Sequence, residues 1–541
     1  MQRRVVAVGP SASNSTASEP GIERLAAERT FLYDWRLEDH YVPLTITNTL
    51  LLHYQRCRRR AFLDVYGDQM QRDPASDYLQ KLQQDSLSHQ QQILAGYSAH
   101  QPCYLPHDWQ AGAEATLELM RTGVSAIVNG VVRLERSDGT VLVGRPKLLV
   151  RQPGWSDLGD WCYHVIDIKL GKRPKADYQI VSAFHTYLLA ETQGAWPETS
   201  WLILKEGKRY AVNLVNQLPK MEETLTHCIE SLRMAAEPDV FIARNRCDLC
   251  QWFSQCYQIA QQKRHLSLLP GVTPNRYVYL KELMLTTVEQ LSKVSSTLLE
   301  PLPGFGPQVA NKLVRQAQSA YQNRALPVID APSFTPEALA AFLPTAPVEL
   351  YFDIEAAPER ELMYLHGVLV VERDIARNAS KSTFHAFFAE LPEQEGTIWR
   401  QFLSLTHRYP TAPIYHFCPY EAQAIQKLAE LYGTPSHRVQ WLLKRFVDLH
   451  DRVIQTATLP TESYALKSIA RWVGFDWRDE GANGAQSIFW YDQWVTQGDR
   501  NAISKILRYN EDDCRATWQV KDWLVAFLQQ HCLTNQSNRS A

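Results

Sequence analysis

The segment YFDIEAA, residues 351–357, reads as a strand carrying two acids. Side chains at i and i+2 of a strand point to one face, so Asp353 and Glu355 share it. Two-metal chemistry on a phosphodiester needs several carboxylates converging on cations about 4 Å apart, and two acids are too few. Later segments can supply the rest. YHFCPYEAQAIQKL (415–428) ends a strand, enters a helix and offers Glu421. RYNEDDCRAT (508–517) lies on the last helix and offers Tyr509 and Asp513, spaced i, i+4 and therefore on one helical face. Glu511 and Asp512 point away from that face and read as solvent-exposed.

A second acid-bearing strand lies upstream. In HVIDIKLGKRPK (164–175), Asp167 could hold a divalent cation and Lys169 could orient water or stabilise developing charge. Taken alone a D-x-K triplet is common, and its plain reading is a strand-end ion pair. A Gln-rich helix near Tyr78–Ala95 and strands at SAIVNGVVRLE and TVLVGRPKLLV precede it. The helix IVSAFHTYLLAET and the strand SWLILKEG follow. Three strands, a helix and a strand make an α/β core.

The ten cysteines are unevenly placed. CDLCQWFSQC holds Cys247, Cys250 and Cys256 as C-x2-C-x5-C, and YQRCRRRAFL places Cys57 far upstream. Four thiolates can bind tetrahedral zinc or a [4Fe-4S] cluster. Cys103, Cys162, Cys228, Cys418, Cys514 and Cys532 lack such spacing and read as core or surface thiols. Basic runs at residues 56–60 and 169–175 give local positive charge suited to phosphate. Between the two acid-bearing regions, LEPLPGFGPQVANKLVRQAQ (299–318) looks like a helix-hairpin-helix. Its Gly304-Phe305-Gly306 hairpin would expose backbone N–H groups at a helix start, and Lys312 and Arg315 would add charge for a phosphate backbone.

A chain of 541 residues suggests two to four domains. The formal net charge of −2 carries no global sign of a nucleic-acid partner, so any basic surface is local. The first 30 residues contain no continuous apolar h-region, and no run has the apolar length of a membrane helix, so the expectation is a cytoplasmic chain without a membrane role. The expected organisation is an N-terminal arm (1–40), a first α/β unit (41–265), a helical connector (266–345), a second α/β unit (346–530) and a polar tail (531–541).

Two resemblances sharpen this α/β multidomain reading. Roughly residues 45–260 resemble the RecB-like nucleases of the PD-(D/E)XK superfamily, which have a restriction-endonuclease-type core. The resemblance rests on His89 in DSLSHQQQIL, the GRPKLLV strand, D-I-K, Tyr187 on the following helix and the cysteine frame. It implies a [4Fe-4S] cluster on Cys57, Cys247, Cys250 and Cys256, in preference to zinc, clamping the two ends of the domain. Two positions depart from the pattern. The family places an aspartate where Lys147 stands, and the glutamine of its Q-x-x-x-Y motif is replaced by Ala183. An ammonium where a cation should sit repels it strongly in a low-dielectric site. The implied state is a retained fold with a degenerate site (His89, Lys147, Asp167, Lys169, Tyr187), unless Asp157 or Asp160 supplies a replacement acid.

Roughly residues 346–530 resemble the RNase H-like DEDD exonucleases in their YprB-type branch, with D-I-E, YHF-x-x-YE, Y-x-x-x-D and LKSIARWVGFDW in order. By that resemblance Asp353, Glu355, Glu421 and Asp513 hold two Mg²⁺ or Mn²⁺ ions and Tyr509 orients the attacking water. Glu421 stands where many members have aspartate, and Asp448 is either a supporting acid or a helix cap. The implied function is a 3′–5′ exonuclease on DNA or RNA, single strands or ends, with the iron–sulfur unit holding the nucleic acid. Two alternatives stay open: a non-catalytic binder partnering a helicase or repair machinery, and RecB-like cleavage through an unorthodox site.

Overall fold

The computed structural model of the chain describes residues 44–329, 334–374 and 379–537; the expected N-terminal arm lies outside them. The first unit begins with strand β1 (Thr45–Thr47) and helices α1 (Asn48–Arg56) and α2 (Arg58–Tyr66), which break apart at Cys57. Helix α3 (Asp77–Leu94) follows, then strands β2 (Ala126–Val128), β3 (Val132–Glu135), β4 (Val141–Gly144), β5 (Leu148–Ser156) and β6 (Gly159–Ile168). Helix α4 (Ala176–Gln193) crosses to β7 (Ser200–Ile203), which turns into β8 (Arg209–Val212).

These strands form two sheets, in the orders β1-β4-β3 and β2-β5-β6-β7-β8. Each of the two long strands expected at SAIVNGVVRLE and TVLVGRPKLLV therefore splits, and its halves join different sheets. The first breaks at Asn129, whose φ of 52° leaves the extended region. The second breaks around Pro146, which has no N–H to donate to a ladder. β6 and β7 are parallel, so a crossover is required, and α4 supplies it with nearly every side chain from Ile180 to Ala190 buried.

The connector is helical, as expected, and includes helix α5 (Gly306–Gln322) and strand β9 (Leu326–Pro327). It buries its own cluster, including Leu280, Leu291, Leu299, Phe305 and Leu313.

In the C-terminal unit, β10 (Val348–Ala357), β11 (Leu362–Asp374) and β12 (Ala379–Phe388) form an antiparallel meander. β13 (Ile414–His416) and β14 (Phe446–Asp448) add in parallel beside β10, giving the order β12-β11-β10-β13-β14. The helices used below are α6 (Tyr420–Leu431), α7 (Leu466–Trp472), α8 (Gly484–Gln497) and α9 (Arg500–Ser537). The last runs past residue 530, where a tail was expected. Strand alternation sorts β10: Phe352 and Ile354 face one apolar cluster, while Tyr351 faces the cluster containing Ile506, Ala516 and Val520 of α9. Asp353 and Glu355 share the Tyr351 parity and so meet α9.

The connector is fastened to this unit. β9 pairs with β15 (Ala457–Thr458), the Gln316 side chain donates to the Leu459 carbonyl, and Ser319 Oγ donates to the Thr458 carbonyl at 3.0 Å. Among the described residues no helix is long and apolar enough to cross a membrane.

Candidate active site

Asp353 and Glu355 on β10 meet Asp513 on α9, and one oxygen from each lies within 4.8 Å of the others. This is the only such group of three among the described residues. The site is largely closed to water. Burial, then the charges of Asp513, Glu355 and Glu421, lift Asp353 well above the usual carboxylate range. Burial and the neighbouring Asp513 push Glu355 up to about 8. Asp513 rises to about 7 through burial, although Trp477 and Lys467 oppose the shift. Like charges this close cannot all ionise without a compensating cation.

The acids are individually positioned. Asn510 Nδ2 donates to Asp353 Oδ2 at 2.6 Å, and Trp477 Nε1 donates to Asp513 Oδ1 at 2.7 Å. Tyr364 and Ser487 hydroxyls, 2.7 Å apart, both bond to Glu355. Gly367 lies across the sheet from Asp353, and a Cβ there would fall 1.6 Å from Asn510 Oδ1. Only glycine therefore lets Asn510 reach Asp353. Tyr509 is buried beside Asp513, which together with burial holds its phenol well above the ordinary value. Lys467 Nζ lies 4.9 Å from the Tyr509 ring centre and 5.3 Å from that of Trp477. Asn510, Trp477, Ser487, Gly367 and Lys467 were not read from sequence as site residues. Trp477 and Lys467 do lie within the LKSIARWVGFDW stretch that carried the resemblance.

Glu421, the fourth expected ligand, opens α6 beside the trio. It lies in Asp353's electrostatic field, but its Oε2 is 3.3 Å from His416 Nδ1 and it stands outside the group of three. Asp448 is a helix cap: its Oδ1 accepts from the Cys418 and Asp451 N–H groups. The expected exposure of Asp512 is wrong. It is buried and accepts from the Arg478 backbone N–H at 2.9 Å and from its guanidinium at 2.8 Å. Glu511 is half-buried between Arg478 and Arg515.

In the first unit, the β5–β6 register pairs Leu148 with Ile166 and so sets Lys147 opposite Asp167. Asp167 is fully buried. Its Oδ2 lies 2.9 Å from His185 Nδ1, and its Oδ1, 3.9 Å from Lys169 Nζ, has no hydrogen-bond partner. Burial alone would raise this carboxyl, but His185, Lys169 and Lys147 outweigh it and hold it below the usual range. Burial, with Arg145 and Lys169, lowers the Lys147 pKa. His185 was not foreseen as a member. Tyr187, which was expected, is two residues further along α4, on roughly the opposite face, and its ring packs 6.4 Å from that of Trp196. His89 lies on α3 with Nε2 buried and unpartnered. Asp157 and Asp160 sit at the β5–β6 hairpin; seven residues of strand put Asp160 about 23 Å from Asp167 at 3.3 Å per residue, too far for a replacement acid.

The four frame cysteines come together. Cys247, Cys250 and Cys256 each lie in the field of Cys57, and burial raises all three thiols, Cys247 to about 11. Cys57 Sγ accepts from the Arg60 N–H and Cys256 Sγ from Arg59 Nε, both at 3.4 Å. Trp252 Nε1 to Asp64 (2.8 Å) and the Ser254 N–H to Asp73 (2.9 Å) dock the cysteine segment on the start of the unit.

In the hairpin, Gly304 and Gly306 have φ of 80° and 65°, a left-handed pair suited to glycine. The Gly306 N–H is not open to a ligand, because it donates to the Glu300 carbonyl at 3.2 Å, and the Phe305 N–H donates to Leu302. Lys312 is exposed. Arg315 is a strut rather than a free phosphate contact: its guanidinium donates twice to the Pro327 carbonyl, at 3.1 and 2.9 Å.

A protein-family model described as the RNase_H superfamily matches residues 350–525, a span that holds all three acids of the buried group. No curated protein matches the chain. The C-terminal unit is thus RNase H-like, which suggests nuclease-type processing of nucleic acid, and the acidic group suits the divalent metals such domains use.

Proposed function

We propose that this protein is a metal-dependent 3′–5′ exonuclease acting through Asp353, Glu355, Asp513, Glu421 and Tyr509. The observation that carries the reading is the buried convergence of three carboxylates on an RNase H-like sheet. Bound Mg²⁺ or Mn²⁺ would polarise the phosphoryl group and acidify an attacking water. Asp353, Glu355 and Asp513 would hold the cations, with Glu421 at the margin. Tyr509 stays protonated at neutral pH, because burial and Asp513 raise it, so it can orient a water by hydrogen bonding but cannot act as a base. Lys467, whose charge acts on Glu355 and Asp513, would help to offset developing anionic charge. The 3′–5′ direction rests on the resemblance to DEDD exonucleases.

The first unit, in the same reading, is a RecB-like fold that binds nucleic acid without cutting it and carries a [4Fe-4S] cluster on Cys57, Cys247, Cys250 and Cys256. The donor set fits such a cluster. Four thiols converge from the two ends of the unit, a donor set that either metal centre can use, and the preference for the cluster over zinc rests on the resemblance. Protein purified without oxygen should be brown and contain iron; a colourless protein with one zinc refutes the cluster.

Digestion of end-labelled single strands with Mg²⁺ or Mn²⁺ tests the main reading. Asp353→Ala should abolish cutting and Asp167→Ala should leave it. The reverse pattern overturns the assignment in favour of the first unit.

A further inference from the structure

We propose that the first unit holds a metal-free phosphate site, in which the Lys147 ammonium stands where a cation would sit and grips the backbone of a single strand. The inference deepens the reading above, since it rests on the protein handling nucleic acid. The strand register sets Lys147 opposite Asp167, and Nζ reaches Asn129 Oδ1 at 3.4 Å. Lys147 and Lys169 both act on the one carboxylate, Asp167, which is already paired with His185, and the exposed Arg145 lies in the field of Lys147. A divalent cation arriving there meets net positive charge, whereas a phosphate meets a prepared counter-charge.

The site is also open to a ligand. Lys147 forms part of a cleft of about 440 Å³ whose other wall is α3, contributed by Leu82, Gln83, Ser86, Leu87 and Gln90. That volume suits a small polar ligand or a segment of strand. Its surface is mainly apolar, from Leu82 and Leu87, and its polar groups are two glutamine amides, the Ser86 hydroxyl and Lys147, with no carboxylate among them. These groups hydrogen-bond phosphate and sugar oxygens without reading sequence. Basic charge continues outward: Lys169 and Lys175 lie 5.7 and 5.8 Å from the Tyr178 ring centre, and Arg56, 6.0 Å from it, is paired with Asp177 at 2.7 Å. A single strand, with its flexible backbone and exposed bases, suits an open cleft with cations and an aromatic ring in the same unit.

The cleft is tied to the acidic site as well. Lys81 of α3 reaches Asp492 of α8 at 3.6 Å, and Gln486 of α8 donates to Asp77 at 2.9 Å. The same α8 carries Ser487 to Glu355. A strand held against α3 is therefore held at a set place relative to Asp353.

The test is titration of a fluorescein-labelled oligothymidylate, and in parallel an oligouridylate, into the full chain carrying Asp353→Asn, with EDTA present. Binding should persist without divalent metal and weaken with salt. Lys147→Met should weaken it about tenfold and lower the log–log salt slope by about 0.7, the share of one phosphate on a single strand. Gln83→Glu, an exposed change that leaves the core untouched, should also weaken it. Lys147→Asp should make binding depend on Mn²⁺. A parent protein that needs metal to bind, or Lys147→Met and Gln83→Glu variants that bind like the parent, would overturn the proposal. Cutting is not read here, so the titration tests the cleft even in a chain that never digests nucleic acid. A failed cleft, in turn, leaves the Asp353 digestion assay unaffected.

Discussion

Glu355→Gln should stabilise the metal-free protein at alkaline pH. Glu355 is raised from an ordinary 4.5 to about 8 by burial and by Asp513. A carboxyl raised on folding contributes most below its unfolded value and loses that contribution as pH climbs through its folded value. The gap, at about 1.4 kcal/mol per unit, sets a ceiling of about 5 kcal/mol on the loss. Water entry and small shifts of Asp353 and Asp513 relieve part of it, so about 2 kcal/mol is expected to survive at pH 9. Glutamine keeps the shape and can still bond the Ser487 and Tyr364 hydroxyls, yet never ionises. Its melting temperature in EDTA should therefore exceed the parent's by about 4–8 °C at pH 9, at 2–4 °C per kcal/mol, and converge with it near pH 5. Added Mn²⁺ should raise the parent more than the variant, because ligand binding stabilises by mass action. Circular-dichroism melts across this range read both effects. A variant that melts with or below the parent at pH 9 would mean that the carboxylates do not repel one another, and the metal-site reasoning would fail.

Other substitutions probe the supports. Gly367→Ala puts a methyl 1.6 Å from Asn510 Oδ1, so Asn510 must move off Asp353; digestion should fall about 100-fold, the usual cost of a 1 Å misplacement, while circular dichroism shows a folded chain. Arg478→Ala leaves Asp512 buried beside Glu511 with its guanidinium partner gone; urea melts should show a loss of about 1–3 kcal/mol, below the full cost of breaking a buried pair because Arg478 is half exposed. Cys57→Ser should strip iron and visible absorbance from anaerobically purified protein and lower the melting temperature; unchanged iron content would exclude Cys57 as a ligand.

The two catalytic readings were legible to different depths, for physical reasons. Asp353 and Glu355 could be placed on one face because a strand has a period of two, and Tyr509 and Asp513 because a helix brings i and i+4 together. Both rules are local. Asn510 and Gly367 were invisible because their meaning is a single cross-strand distance: glycine opposite Asp353 matters only once α9 lies over that sheet. Asp512 was misjudged for a related reason. Its helical position points away from Tyr509, but Arg478 arrives from another segment and covers it. In the first unit, the split of GRPKLLV between two sheets was written in its proline. The substitution of His185 for Tyr187 as Asp167's neighbour depends on the rotation of α4 about its axis, which an almost uniformly apolar helix does not encode.

The two acid-bearing strands end as electrostatic opposites. On β6 one carboxylate is held down by His185, Lys169 and Lys147, and its charge is already met from within the protein. On β10 two carboxylates and Asp513 are pushed up together; Lys467 opposes the shift of Glu355 and Asp513, and burial weakens that charge. A folded chain can keep the first arrangement ionised without help. The second reaches its fully ionised form only when something positive enters. Divalent metal should therefore bind and stabilise at β10 and bring nothing to β6, while an anionic strand should find β6 ready and β10 repulsive until metal is present. On this argument the order of events is set by charge alone: the strand can dock on the first unit at any metal concentration, and metal admits it to the second.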